Sequence, residues 1–172
     1  STTPILGVVI KGPNYIAGLA GLVTREKRRS EIRELRTIPD MKVSITREYA
    51  WEMGHALKNH AGKCFQPHGH NYRLEVEVSG PIDDRSNMVW DFADLDILVN
   101  PIVRELDHQF LVHPDDARFE SFMPGCLRWV RGDPTAESIA AYFFDALTGW
   151  EVTLERVTVY ETDKASATVR ST

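Results

Sequence analysis

The residues able to do metal or thiol chemistry are six histidines and two cysteines. Their densest grouping is Cys64-Phe-Gln-Pro-His68-Gly-His70. His68 and His70 stand two apart, so on extended backbone both rings point to the same face, a way to give one metal two imidazoles. Gly69 between them leaves room for close approach of backbone or ligand. A third imidazole comes from His55, in Met53-Gly54-His55 at the end of the preceding strand-like run. Three neutral nitrogens with one position open fit a catalytic zinc site better than a closed structural one. Taken alone, the His-x-His pair reads equally well as two surface histidines at a turn. Cys64 has three readings: a fourth ligand, a core thiol, or a reactive thiolate favoured by nearby Lys63 and a bound dication. Cys126, in a Pro-Gly-Cys turn, has no comparable neighbour and reads as structural.

Two carboxylates and another histidine complete the candidates. Asp107-His108 falls at the end of a helical pattern. Spacing alone favours a helix-end histidine stabilised by the dipole, worth ~0.3–1 kcal/mol, over a carboxylate orienting an imidazole for proton transfer. Glu161 ends a strand in Val-Tyr-Glu-Thr-Asp, ordinarily a solvated position. Its two oxygens also match the paired N–H donors of a guanidine-like ring edge. Glu137 reads as a dipole partner in the first turn of a helix, and His60 and His113 as loop residues.

The elements that must position these groups follow from periodicity. Lys42 to Trp51 alternates imperfectly as a strand. Asn71 to Gly80 is the cleanest one, with Tyr72, Leu74, Val76 and Val78 opposite Arg73, Glu75 and Glu77, and Gly80-Pro81 ends it. Phe92, Leu95, Leu98, Val99, Ile102, Val103 and Leu106 predict an amphipathic helix over 92–107, with Pro101 a threat to its continuity. Asp133-Pro134 predicts the start of a second helix, N-cap then first helical residue, that buries Ile139, Ala140, Phe143, Phe144 and Leu147. Strands over about 150–161 and 166–170 close the chain. Strands paired at both ends of a helical middle predict an α+β domain, its helices on one face of an antiparallel sheet.

The chain has 172 residues, 42% hydrophobic and 26% charged. That is one ordinary domain's worth and excludes a disordered chain or a disulfide-stapled miniprotein. No apolar run approaches the ~20 residues of a membrane span. The run Tyr15 to Val23 precedes its basic residues instead of following them, so no export signal is expected, and two cysteines point to a reducing cytoplasm. The net charge of −5 divides into +3 over residues 1–40 and −8 over the remainder. So acidic a body argues against nucleic acid as partner. Composition changes at Met41. Residues 1–40, with a charged run Thr24 to Arg36, read as an extension of unknown role, dispensable for the chemistry, and 41–172 as the functional domain.

Six motifs now align. Gly-His-Ala-Leu (54–57), Cys-x-x-x-His-Gly-His-Asn-Tyr (64–72), Met-Val-x-Asp-Phe-x-x-Leu (88–95), Leu-Asp-His-x-x-Leu (106–111), Pro-Thr-Ala-Glu-Ser (134–138) and Tyr-Glu-Thr (160–162) occur in this order. With them, residues 41–172 resemble the 6-pyruvoyl-tetrahydropterin synthase and 6-carboxytetrahydropterin synthase family. Two positions depart from its pattern: Trp51-Glu52-Met53-Gly54 before the first histidine, and Asn87 where glycine often precedes Met-Val.

The resemblance implies a tunnelling fold: a four-stranded antiparallel sheet with two helices, assembled into a barrel-like homohexamer with active sites between subunits. It implies Zn²⁺ on His55, His68 and His70, and Cys64 as the base that takes a proton from the substrate side chain. Asp107 and His108 would form a proton-transfer pair, supplied in some arrangements by a neighbouring subunit. Glu161 would hold the pterin's amino and ring N–H groups, helped by Thr135, Glu137 and the backbone near Ala136. The implied substrate is 7,8-dihydroneopterin triphosphate. Lys58, His60 and Lys63 are candidates for its phosphates by position only. Three residues separate Cys64 from His68, a spacing that resembles the bacterial carboxytetrahydropterin synthases of queuosine biosynthesis; pyruvoyl-forming members more often have five. The expectation is therefore 6-carboxytetrahydropterin formation, with pyruvoyl formation second. A catalytically silent pterin- or purine-binding protein of the same fold is the alternative of another class.

Overall fold

The strand that opens at Val43 continues to Ala56, making β1 (Val43–Ala56) end five residues beyond Trp51, where the pattern alone predicts its end. The computed structural model describes residues 42–172 except 122 and 124; the expectations for residues 1–40 lie outside them. β2 (His68–Gly80) pairs antiparallel with β1 along its whole length, from Val43 opposite Gly80 to His55 opposite His68. Then come α1 (Phe92–Leu106), the short β3 (Phe110–Val112) and β4 (Leu127–Arg128), α2 (Ala136–Leu147), β5 (Thr153–Thr162) and β6 (Ala165–Arg170). Among the described residues they form one sheet in the order β4-β3-β1-β2-β5-β6.

The sheet corrects the expected four antiparallel strands. β1, β2, β5 and β6 are those four, but β3 joins β1 and β4 joins β3, both in parallel. Gly54 makes this possible. A Cβ there would lie 2.6 Å from Phe110 Cδ2, so only glycine lets β3 lie this close.

Side-chain alternation sorts the sheet into two faces. Tyr49, Trp51 and Met53 of β1, Tyr72, Leu74, Val76 and Val78 of β2, and Val157 and Val159 of β5 are buried in one core with both helices. α1 contributes Leu95, Val99, Val103 and Leu106 to it, and runs straight through Pro101. Pro101 sits on the exposed side, and burial of four large side chains on the other side outweighs the ~3 kcal/mol that an interior proline costs. Asp91 caps this helix by accepting from Ala93 N at 2.9 Å.

α2 begins two residues later than Asp133-Pro134 predicts. Thr135 is its N-cap, accepting from Ser138 N at 3.3 Å. The Asp133 carboxylate is engaged elsewhere: it accepts from Lys58 N at 2.8 Å and Asn59 N at 3.0 Å, pinning the chain just beyond β1 to the start of α2. Asn87, where the family often has glycine, sits at φ 58. Asparagine is one of the few other residues that enters this left-handed region readily.

Candidate metal and catalytic site

The core face of the sheet changes from apolar to polar at one end. β1 continues its inward series with His55, β2 opens its own with His68 and His70 before Tyr72, and β5 follows Val157 and Val159 with Glu161. Strand alternation alone therefore brings three imidazoles and a carboxylate to the rim of the core. The ligand atoms of His55, His68 and His70 all lie within 4.8 Å of one another.

Hydrogen bonds fix what these rings present. His55 is fully buried, and burial lowers its pKa, keeping the ring neutral. Its Nδ1 donates to Pro134 O at 2.7 Å, which leaves Nε2 unprotonated. His68 Nδ1 donates to Gln66 O at 2.8 Å, freeing its Nε2 in the same way. The two bare Nε2 atoms face each other at 3.0 Å. His70, also lowered in pKa by burial, has a buried Nε2 with no hydrogen-bond partner. The Glu161 carboxylate approaches His55 Nε2 at 3.4 Å and His70 Nε2 at 3.8 Å. Lone pairs and an anion converge here, and the donor that reaches them is the Tyr72 hydroxyl, 3.4 Å from His55 Nε2. A cation between them resolves that conflict, so the donor set fits a metal, and nitrogen-rich ligation suits a transition ion such as zinc.

Tyr72 lies beneath the rings, 1% exposed and stacked on Trp51. Burial raises its phenol pKa, and Glu161 and Cys64 raise it further. Its oxygen is 3.3 Å from His55 Nδ1. Cys64 itself is half-buried in a single 3-10 turn (Lys63–Phe65), whose Cys64 carbonyl accepts from Leu57 N at 2.9 Å. It is not one of the three clustered ligands.

Asp107 and His108 form a second group. Asp107 caps the C-terminus of α1, and its Oδ1 accepts from Glu52 N at 3.1 Å and meets His108 Nδ1 at 2.9 Å. The bond from Glu52 N, followed by the contact with His108, holds the Asp107 carboxyl below its usual pKa. His108 adopts φ 60, a left-handed conformation uncommon for a residue with a Cβ, and its N–H donates to Glu52 O at 2.7 Å. The His108 side chain is 74% exposed and borders a cleft that is also lined by Glu52, Gly54, Gly69, Gln109 and His70 of the histidine group. No hydrogen bond or ion pair among the described residues links the pair to the three histidines.

Of the remaining candidates, Thr135 and Ala136 adjoin Pro134, whose carbonyl holds His55, while Glu137 is exposed. Lys58 Nζ donates to Asp115 O at 2.9 Å; His60 and Lys63 are exposed. Tyr72, the Pro134 and Gln66 carbonyls, and Asp133 were not singled out as site groups by residue type. Tyr72 read as one more core position, and carbonyl roles leave no mark on a sequence.

An α+β sheet with its helices on one face and three histidines at the end of that face defines a tunnelling-fold protein with a metal-competent site. Comparison with known proteins supplies the family. The profile of the 6-pyruvoyl tetrahydropterin synthase family matches residues 44–172, and the chain belongs to that family and is an enzyme of the lyase class. The chain is 34% identical over 130 residues to the 6-carboxy-5,6,7,8-tetrahydropterin synthase of Haemophilus influenzae, covering 69% of this chain and 92% of that protein. It is 28% identical over 130 residues to the protein of the same name from Rickettsia felis, covering 70% and 94%. In structure it resembles the 6-pyruvoyl tetrahydropterin synthase of Caenorhabditis elegans with a TM-score of 0.60 and 26% identity, covering 77% of this chain and 97% of that one. An uncharacterized Wolinella succinogenes protein shares the fold with a TM-score of 0.66 at 23% identity, covering 77% and 100%. No described helix is long and apolar enough to cross a membrane.

Proposed function

We propose that this enzyme converts 7,8-dihydroneopterin triphosphate and water to 6-carboxy-5,6,7,8-tetrahydropterin, triphosphate and acetaldehyde, as a zinc-dependent cytoplasmic step toward queuosine and related 7-deazapurines. The observation that carries the reading is the convergence of bare imidazole nitrogens beside Glu161, at the end of a strand that the Cys64 turn feeds. Relatives named for the carboxy product, and the three residues between Cys64 and His68, favour it over pyruvoyl formation.

The residues divide the work. His55, His68 and His70 hold Zn²⁺, which when bound polarises oxygens of the pterin side chain and makes the neighbouring C–H more acidic. Cys64 Sγ accepts that proton as a thiolate, and triphosphate departs from the adjacent carbon. Glu161 accepts the paired N–H donors of the pterin ring, with Thr135, Ala136 and Glu137 at the neighbouring helix start. Asp107 orients His108 for proton transfer. No hydrogen bond or ion pair among the described residues joins that pair to the histidines of its own chain, and the exposed His108 side chain serves a site shared between copies in a homohexamer.

Product identification decides the reading. Purified enzyme incubated with 7,8-dihydroneopterin triphosphate is expected to yield 6-carboxytetrahydropterin by mass spectrometry, with acetaldehyde in equal amount. A pyruvoyl product without acetaldehyde would move the chain to the second reading. Pterin binding without turnover would make it a silent member of the fold.

A further inference from the structure

The turn that carries Cys64 has little holding it from within. Its internal bonds are Phe65 N to Gly62 O at 3.1 Å and Gln66 N to Lys63 O at 3.0 Å; Gly62 provides no side-chain cap, and no residue of the turn is fully buried. Three consecutive carbonyls instead reach outward to three different partners. Cys64 O accepts from Leu57 N, Gln66 O accepts from the His68 ring, and Phe65 O accepts from Arg118 Nη1 at 2.6 Å. Arg118 also lays its guanidinium over the Phe65 ring, 3.6 Å from the centroid.

Arg118 is itself immobilised. Asp116, 2% exposed, accepts from Arg118 Nε at 2.8 Å with one oxygen and from Nη2 at 2.5 Å with the other. The planar fork is therefore locked by a buried carboxylate on one side and grips Phe65 on the other, a geometry that a lysine cannot reproduce. Because Asp116 already answers its charge, Arg118 is arranged to hold backbone, not to recruit an anion.

We infer that Arg118, locked by Asp116, is a positioning residue that fixes the Cys64 turn relative to His68. This rests on the proposed role of Cys64 as base. Phe65 lies between the cysteine and the carbonyl that orients the His68 ring, so loosening it shifts the thiol against the metal ligands. Displacements of about 1 Å in a reacting group can cost on the order of 100-fold in rate.

The test uses the full-length, metal-loaded enzyme and two readouts. The first is kcat and KM with 7,8-dihydroneopterin triphosphate, normalised to bound metal. The second is the rate of Cys64 alkylation by iodoacetamide, followed by peptide mass spectrometry without substrate. Arg118→Ala and Arg118→Lys are expected to lower kcat at least 10-fold with little change in KM, and to accelerate Cys64 alkylation several-fold. Leu147→Ala, a core truncation remote from the turn, is expected to leave the alkylation rate at the wild-type value. If Arg118→Ala does not fold, Phe65→Leu keeps the Arg118–Asp116 pair and should shift both readouts in the same direction. Wild-type alkylation and kcat in a folded Arg118 variant, full rescue by lysine, or equal acceleration in Leu147→Ala would each overturn the inference. A wild-type enzyme inactive on this substrate would refute the functional reading, while the alkylation ratio would still judge the clamp.

Discussion

At the scale of single residues, each side chain's role follows from what its neighbours leave unsatisfied. His55 and His68 spend their Nδ1 protons on carbonyls, so their remaining nitrogens have only lone pairs to offer. His68→Ala is therefore expected to lose bound zinc, whereas Cys64→Ala retains it together with pterin-analogue affinity and loses most turnover, since only a transition-state role is deleted. Metal analysis and steady-state kinetics of the two variants check this; metal loss in Cys64→Ala would make the thiol a ligand. Glu161 stands at the rim of the site, its side chain 25% exposed and accepting no hydrogen bond among the described residues. Glu161→Gln should weaken a pterin analogue by about 1.5–3 kcal/mol, the range for hydrogen bonds to a charged group, with zinc content unchanged. Calorimetric titration that finds equal affinity would remove Glu161 from ring recognition.

At the scale of elements, the site depends on how closely strands and turns approach. Gly54 accommodates Phe110 of β3 where a Cβ would stand 2.6 Å away, and a Cβ on Gly69 would stand 3.0 Å from Met53 O. Gly54→Ala is expected to cost about 1–3 kcal/mol as an overpacking change. Gly125→Ala, which meets nothing within 4 Å, should stay within about 0.5 kcal/mol, both read from urea denaturation. The Asp116–Arg118 lock adds a pH signature. Arg118 holds the Asp116 carboxyl below its ordinary range, so the ionised form favours the folded chain. That contribution is complete above about pH 4, the unfolded carboxyl's value, and disappears as pH falls through the folded one. Asp116→Asn should thus be destabilised by about 1–3 kcal/mol at pH 6, and the gap to wild type should narrow toward pH 3; a gap independent of pH would show that the carboxylate's charge is irrelevant. These elements also show what a sequence can reveal. The strand alternation of Tyr72 to Val78, the two helices and the His-x-His face are periodic and local, so residue order displays them. β3 beside β1 was not legible, because it depends on an absent side chain at Gly54 meeting a residue 56 positions on. Nor was the start of α2, where Asp133 resembles a cap yet bonds Lys58 and Asn59, nor the Arg118 grip on Phe65. All three are long-range contacts with no periodic trace.

At the scale of the whole molecule, the two sheet faces have different fates. The helix-covered face ends in the histidine site, whereas the other carries Arg73, Glu75, Glu77 and Arg156 in a chain of ion pairs at 2.7–3.3 Å. β4 and β6 each have one strand partner among the described residues, leaving backbone groups that pair readily with another chain. The Asp107–His108 pair makes no hydrogen bond or ion pair with the histidines of its own chain among the described residues, although His108 borders the same cleft as His70 and the proposed chemistry needs the pair beside Cys64. Assembly reconciles these facts if one copy contributes His55, His68, His70 and Cys64 and its neighbour contributes Asp107 and His108. That arrangement has a distinctive consequence. Cys64→Ala and His108→Ala are each expected to be nearly inactive as pure assemblies. After dissociation, equal mixing and reassembly, some sites combine an intact Cys64 from one copy with an intact His108 from the next. With random mixing about a quarter of sites are complete, because each of the two contributions is intact half the time in a symmetric ring. Recovered kcat near that fraction of wild type, in a particle whose sedimentation mass matches six copies, supports shared sites. Mixtures that stay as inactive as the separate variants would mean that both groups come from one chain, working across the cleft that His108 and His70 both line.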